Sequence, residues 1–520
     1  MEINNEISYV RGHRCSDAYT ESQTEYVLPD YLGDVRKILY TNAELRPTAR
    51  FAGGGELECS GIVVYDMIYL DSENNLSSVQ FSSDYDYTVK CPSEECVNSV
   101  ENARLSGFSL RLNGPRRINA RASVASSVRL LENECISLSG DGLDKPASLE
   151  LHKKGIKVRQ TALSERVERE YAESLTMLES AIADEVSVIY SCMEPAVEEI
   201  ERLESALNVK GRLRMLAVVK NGDMGAIPCE KQISFEEMIP FEGAEEDMTF
   251  TADTLVTSVK TEVNPEESGC RIVLSGVMEI SAVGEKNCLL SPVTDGYLRD
   301  YEGDCSYDSF NYTELVDVCS ANDSHNAKIP RSEIDAGGLR EIIFLASYPK
   351  VESIKATDNG VEILGEIKYS GVASDVDADG NISYAMLKFS SPFASNVNIN
   401  SQNCRNLQYD VKVHTNSTSA SIDAENLYAT CNLQISVTAC EEKCERIMTR
   451  INAGGELSGE GANAEITVYY PTAQDTLFSV AKRYKASVKK IASDNSLDAS
   501  VFVGDDGDSH LGGVKKLIIY

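Results

Sequence analysis

The chain has 520 residues, 42% of them apolar, enough to bury a large core and to hold about three or four domains. Acidic residues outnumber basic ones 82 to 49, a formal charge of −33 that repels nucleic acid and anionic lipid surfaces. No stretch approaches ~18 consecutive apolar residues, which excludes a membrane-spanning helix.

The opening, Met1-Glu2-Ile3-Asn4-Asn5-Glu6, has no basic region followed by an apolar run, so no secretory signal is expected. The 15 cysteines then read as reduced thiols. Cys91-x4-Cys96 and Cys440-x3-Cys444 lack a second cysteine pair or a nearby histidine pair at zinc-ligand spacing. No metal and no cofactor is therefore expected. The five histidines, His13, His152, His325, His414 and His510, stand in no cysteine-nucleophile signature, no His-Glu-x-x-His and no Gly-x-Ser-x-Gly elbow. With 82 acids, no carboxylate pair can be singled out as a glycosidase dyad, and no catalytic residue is assigned. The chain reads as a non-enzyme.

Three stretches resemble one another: Glu58 to Val63, Asn208 to Leu213, and Ile363 to Ile367. Their glycines, Gly61, Gly211 and Gly365, are spaced 211 − 61 = 150 and 365 − 211 = 154 residues apart. The same offsets align Ile38-Leu39-Tyr40 with Val188-Ile189-Tyr190 and Ile342-Ile343-Phe344, and Asp34 with Asp184. Arg117-Ile118-Asn119-Ala120 falls on Ser421-Ile422-Asp423-Ala424 at 150 + 154 = 304, and Phe81, Phe235 and Phe389 follow the glycines by 20 to 24 residues. Three homologous domains are expected, at residues 1–150, 151–305 and 306–450.

Alternation in Glu362 to Tyr369 and in Asn432 to Ala439 marks half-buried strands, so the fold class is mainly β. A helix is expected from Leu163 to Ala183, where Val167, Tyr171, Leu175, Leu178 and Ile182 keep roughly helical spacing. Asp375 to Gly380 opens like a calcium loop but has Met386 where a bidentate Glu belongs, so it reads as a hairpin turn, as does Gly53-Gly54-Gly55. Arg111, Arg116, Arg117 and Arg121 read as solvated strand faces. Gly454, Gly455, Gly459 and Gly461 suggest a flexible linker over residues 451–464.

Residues 465–520 carry a strand-helix-helix-strand pattern. Ile466 to Tyr470 alternates, Asp475-Thr476 can cap a helix with Leu477, Val480, Ala481 and Tyr484 on one face, Ser487 can cap a second with Val488 and Ile491, and Leu517 to Tyr520 closes the module. Asp475-Thr476-Leu477, Val480-Ala481, Tyr484, Ser487-Val488, Ile491, Asn495, Leu497 and Gly513 make this α+β module resemble a LysM domain. That resemblance implies a groove for N-acetylglucosamine polymers, such as peptidoglycan, between the loop after the first strand and the loop before the last. The groove set is Gln474, Asp475, Thr476, Leu477, Phe478, Asn495, Leu497 and Gly513. Gln474 replaces the usual glycine, and the stretch from Asp498 to Gly512 is long and acidic; both disfavour a neutral sugar and favour a protein partner, with Leu477, Phe478 and Leu497 at its centre.

Three such repeats before a LysM module look like the SPOCS-domain proteins of the spore coat, on Asp34-Val35-Arg36-Lys37-Ile38-Leu39, Gly61 to Asp66 and Tyr69-Leu70-Asp71. The resemblance implies a coat morphogenetic scaffold in the mother-cell cytoplasm at the forespore surface. It also implies a LysM module that docks on the ATPase of the coat's basement layer. The other reading is a peptidoglycan-binding protein of the wall or cortex.

Overall fold

The computed structural model describes residues 6–14, 17–90, 98–139, 148–222, 225–334, 339, 341–376, 381–457, 466–497, 510–511 and 513–520. Strands account for 77% of the described residues, and the α-helices among them are two short ones near the end of the chain.

The first unit contains β1 (Glu6–Arg14), β2 (Ala18–Val27), β3 (Val35–Gly53), β4 (Glu56–Asp71), β5 (Leu76–Lys90), β6 (Asn98–Leu112) and β7 (Arg117–Ser137). Strands β3-β4-β5 form one antiparallel sheet. In the other sheet β7 is central: β2 and β1 pair in succession along one edge and β6 along the other. After β8 (Leu149–Lys153), the second unit repeats this plan. Its strands are β9 (Ile156–Leu163), β10 (Val167–Glu179), β11 (Val186–Arg202), β12 (Ala206–Asn221), β13 (Ala226–Pro240), β14 (Thr249–Glu266) and β15 (Gly269–Leu290). A short β16 (Val293–Leu298) returns to pair with β8. The third unit runs through β17 (Tyr301–Pro330), β18 (Glu341–Ala356), β19 (Gly360–Val376), β20 (Ile382–Asn398), β21 (Gln408–Ile422) and β22 (Asn426–Glu456). Its sheets are β18-β19-β20 and β17-β22-β21. The last module has β23 (Thr467–Tyr469), α1 (Leu477–Tyr484), α2 (Val488–Asp494) and β24 (Leu517–Ile519).

Gly61, Gly211 and Gly365 lie in β4, β12 and β19, the middle strands of the three meanders. A Cβ at each would sit within 2.6 Å of a backbone oxygen (Arg46, Ala196 or Lys350), with the ring of Tyr85, Phe235 or Phe393 just as close. The glycine thus lets a neighbouring aromatic ring lie flat on the sheet, a close approach no side chain would permit. The facing aromatics differ in part from the phenylalanines picked out by spacing: Phe81 and Phe389 stack on Tyr65 and Tyr369 instead. In the third unit each arm of the hairpin runs two residues further past the glycine, which moves the matching ring to 393 − 365 = 28 residues after it, against 24 in the other two.

The same bulges recur in every unit. Pairing slips by one residue at Leu39, Ile189 and Ile343, and again at Thr48, Glu198 and Glu352. A bulge re-aims a side chain. Here Leu39, Ile189 and Ile343, with Tyr40, Tyr190 and Phe344, enter one shared core cluster that belongs to all three units. Around it β5 packs against β11, β13 against β18, and β20 against β3, so the three meanders close into a ring. Tyr9 of β1, Val158 of β9 and Phe310 of β17 form a second cluster shared by the three units.

Four expectations need correction. The helix expected over Leu163–Ala183 is strand β10, paired with β15. A bulge between Ser174 and Thr176 switches the inward face from Val167 and Tyr171 to Leu178, and this change of parity imitates helical spacing. Ile118 does not match Ile422: Ile118 pairs with Leu112 across one turn, and Ile422 pairs with Leu427 across the corresponding turn, so Ile118 matches Leu427 and the offset is 427 − 118 = 309. The expected linker begins too early, because residues 451–456, with Gly454 and Gly455, continue β22 and pair with β17. Gly459 and Gly461 lie outside the described residues. Of the arginines expected on solvated strand faces, Arg116 departs: it lies half-buried in the turn before β7 and donates to the carbonyls of Leu28, Pro29 and Leu32 and to Asp34, whereas Arg117 and Arg121 are exposed on β7, paired with Glu25 and Glu21. Arg111 is exposed.

One turn follows the sequence reading, and a second falls mostly outside the described residues. Gly54 and Gly55, with φ of 60° and 79°, make the two-residue β3–β4 hairpin. Asp375 and Val376 end a strand that pairs directly with β20; residues 377–380 between them lie outside the described residues.

Candidate functional site

In the C-terminal module the apolar faces expected of two helices and two strands meet in one small core of Leu477, Val480, Ala481, Val488, Ile491, Leu517 and Ile519. Thr476 caps α1. Its hydroxyl accepts from the Ser479 N–H at 3.1 Å while the Ser479 hydroxyl accepts from the Thr476 N–H at 3.0 Å. Asp475 braces the preceding loop, accepting from the Thr472 N–H at 2.7 Å, the Thr472 hydroxyl at 2.9 Å and the Tyr469 hydroxyl at 2.8 Å. The Thr472 N–H and the Tyr469 hydroxyl hold its carboxyl below the usual carboxylate range. Asn495 ties α2 to β24: its amide donates to the carbonyls of Ile491 and Ile518, and its oxygen accepts from the Ile518 N–H at 2.6 Å.

The two loops expected to form a groove do come together. The Leu511 N–H donates to the Asp475 carbonyl at 2.9 Å, and Thr476 bridges to His510. Gln474 and Gly513 are exposed on these loops beside Tyr470, which is 71% exposed, and Leu497 packs half-buried against the core. Residues 498–509 and 512, which include most of the acidic stretch, lie outside the described residues.

The expected apolar centre is not available. Leu477 is wholly buried in the module's own core, the ordinary place for the first apolar residue of a capped helix. Phe478 is only 8% exposed because the body covers it: Tyr297 meets its ring edge to face at 5.4 Å and the His152 ring lies at 4.9 Å. The Tyr297 hydroxyl donates to the Ala486 carbonyl at 2.6 Å, and Lys482 Nζ lies 2.6 Å from both carboxylate oxygens of Asp295. Burial opposes the Asp295 charge, yet Lys482, with the Tyr307 hydroxyl and the Gly296 N–H, holds its pKa below the usual range. His152, Asp295 and Tyr297 come from β8 and β16, the ribbon outside the repeated plan. Only that lack of register could have drawn attention to them in the sequence.

The strand-helix-helix-strand order, the capped α1 and the Asn495 strap coincide with a family match: the LysM domain family matches residues 472–505. This module is a LysM domain. The match covers no part of the three β units, and comparison with curated proteins and with solved structures returned no match. The LysM domain therefore sits at the C-terminal end of the described chain, docked by α1 on the β8–β16 ribbon.

Cys91 and Cys96 lie outside the described residues, while Cys440 and Cys444 lie on β22, far from the LysM loops in the chain. Burial pushes the Cys440 thiol up to about 11.

Proposed function

We propose that the chain is a non-enzymatic scaffold in which a ring of three related β units presents one LysM domain as its docking element. The observation that carries this reading is the pairing of a body closed around shared aromatic clusters with a LysM domain held on it through α1. The recurrence of glycine, bulge and aromatic stations in all three units supports their being copies of one ancestor. The resemblance to SPOCS-domain proteins supports a coat-assembly role at the forespore surface, with a basement-layer ATPase as the partner.

The LysM match itself favours a second reading, binding of N-acetylglucosamine polymers such as peptidoglycan or chitin. The two separate by calorimetry of the full chain against an N-acetylglucosamine hexamer. Under the scaffold reading, binding is weaker than micromolar, since exposed Gln474 must be desolvated at a cost of about 1–3 kcal/mol. Micromolar binding lost on Gln474→Trp would favour the wall reading. Purified protein is expected to leave peptidoglycan uncleaved, and release of soluble fragments would overturn the non-enzymatic assignment.

A further inference from the structure

We infer that the face of α1 bearing Phe478 and Lys482 is a docking site for an extended segment carrying Asp-x-Tyr, filled here by Asp295-Gly296-Tyr297 of β16. The inference rests on the reading of the LysM domain as a docking element and names the chemistry of what one of its faces takes. Tyr297 belongs to the core cluster of the LysM domain although it lies 180 residues earlier in the chain than Leu477 (477 − 297 = 180). Each of its features is read: the ring by Phe478 at 5.4 Å and by Lys485 Nζ at 5.7 Å, the hydroxyl by the Ala486 carbonyl at 2.6 Å. Two residues before it, the Asp295 carboxylate takes Lys482 on both oxygens.

Alternate residues of a strand share a face, so Asp295 and Tyr297 point at the helix together while Gly296 points at the body. A Cβ on Gly296 would come within 2.7 Å of the Met448 side chain, so the strand carrying the two readable groups lies tight against β22. An aromatic hydroxyl, a ring and a carboxylate at fixed spacing are more specific than an apolar strip. The module joins β22 through residues 457–466, so its hold on β16 is non-covalent, and a partner strand displaying the same groups competes for α1.

The test uses the full chain. Asp295→Lys should speed protease cleavage within residues 457–466 about tenfold, the effect of losing one charge-assisted contact set, and adding Lys482→Asp should restore the slow rate. A labelled peptide of residues 291–300 should then bind the Asp295→Lys/Tyr297→Ala protein, whose own segment is disabled, and not the unmodified chain. Lys482→Glu on top of those changes should abolish peptide binding. Unchanged cleavage in Asp295→Lys, or a peptide that ignores the emptied site while the protein melts normally, overturns the inference. Hexamer calorimetry on the same variants reports on the groove residues around Gln474 separately, so failure at α1 leaves the scaffold and wall readings where they stand.

Discussion

Tyr40 and Tyr190, 150 residues apart in the chain, meet edge to face with ring centroids 5.4 Å apart. Phe344 completes the group, 4.9 Å from Tyr40 and 4.8 Å from Tyr190. Each ring comes from the same station of a different unit, directly after a bulge. The residues that reveal the repeat in the sequence are thus the ones that hold the three units together.

Tyr40→Ala should therefore act on all three units at once. Truncating a fully buried aromatic costs about 3–5 kcal/mol. Tyr40→Phe removes only the hydroxyl, 2.8 Å from that of Tyr348, and should cost about 1 kcal/mol. Denaturant unfolding followed by far-ultraviolet dichroism would compare the two. A Tyr40→Ala loss no larger than that of Tyr40→Phe would contradict the shared core.

Gly211→Ala should destabilise by about 1–3 kcal/mol, because its methyl would lie 2.2 Å from the Ala196 carbonyl oxygen. Gly365→Ala should behave alike, at 2.2 Å from the Lys350 oxygen. Gly455→Ala meets nothing within 4 Å and serves as the control, with no measurable change in melting temperature.

Two carboxylates should give opposite pH signatures. Glu285 is buried, which opposes its charge, but Arg159 at 2.5 Å and Arg129 at 2.7 Å hold its pKa below the usual range. Its stabilising contribution is complete above the unfolded value of about 4.3 and is lost as pH falls through the depressed folded value. Glu285→Gln should cost about 3 kcal/mol at neutral pH, with the gap closing in acid. Burial raises the Asp66 carboxyl to about 6, so its contribution is complete below the unfolded range and lost as pH rises through 6. Asp66→Asn, which keeps an acceptor for Gln80, should raise the melting temperature at pH 8 and leave it nearly unchanged at pH 4.

Asp475→Ala should loosen the LysM domain before it touches any ligand. The carboxylate supports three hydrogen bonds in the loop before α1, and hydrogen exchange of residues 477–484 should quicken while the body stays protected. Equal exchange in both proteins would place Asp475 in the groove rather than in its support.

How far the sequence could be read depended on whether a pattern was local. The glycine stations, the Ile-Leu-Tyr bulge and the alternation of β19 and β22 all show themselves within a few residues, and they led to the β class and to the three units. Strand β10 was misread because its bulge at Ser174–Thr176 breaks the alternation, leaving Val167, Tyr171, Leu175 and Leu178 at helical intervals. The third unit's later strands slipped by five residues, four of them because both arms of its β19–β20 hairpin are two residues longer. At the site, Asp475, Thr476 and Asn495 were found by their LysM spacing, yet all three turn out to be braces. Phe478 was misjudged because its cover, Tyr297, lies in a distant ribbon that no local pattern ties to it.

Closure of the meanders has a consequence for how such a chain can change. A solenoid tolerates one repeat more or less, because each unit touches only its neighbours and the ends stay open. Here β20 of the last unit packs on β3 of the first, so a fourth copy would have to force that seam apart and a lost copy would leave two aromatic rings where three meet. The count is locked at three. Variation is left to the turns, to the β8–β16 ribbon that breaks the symmetry, and to the single domain that ribbon carries.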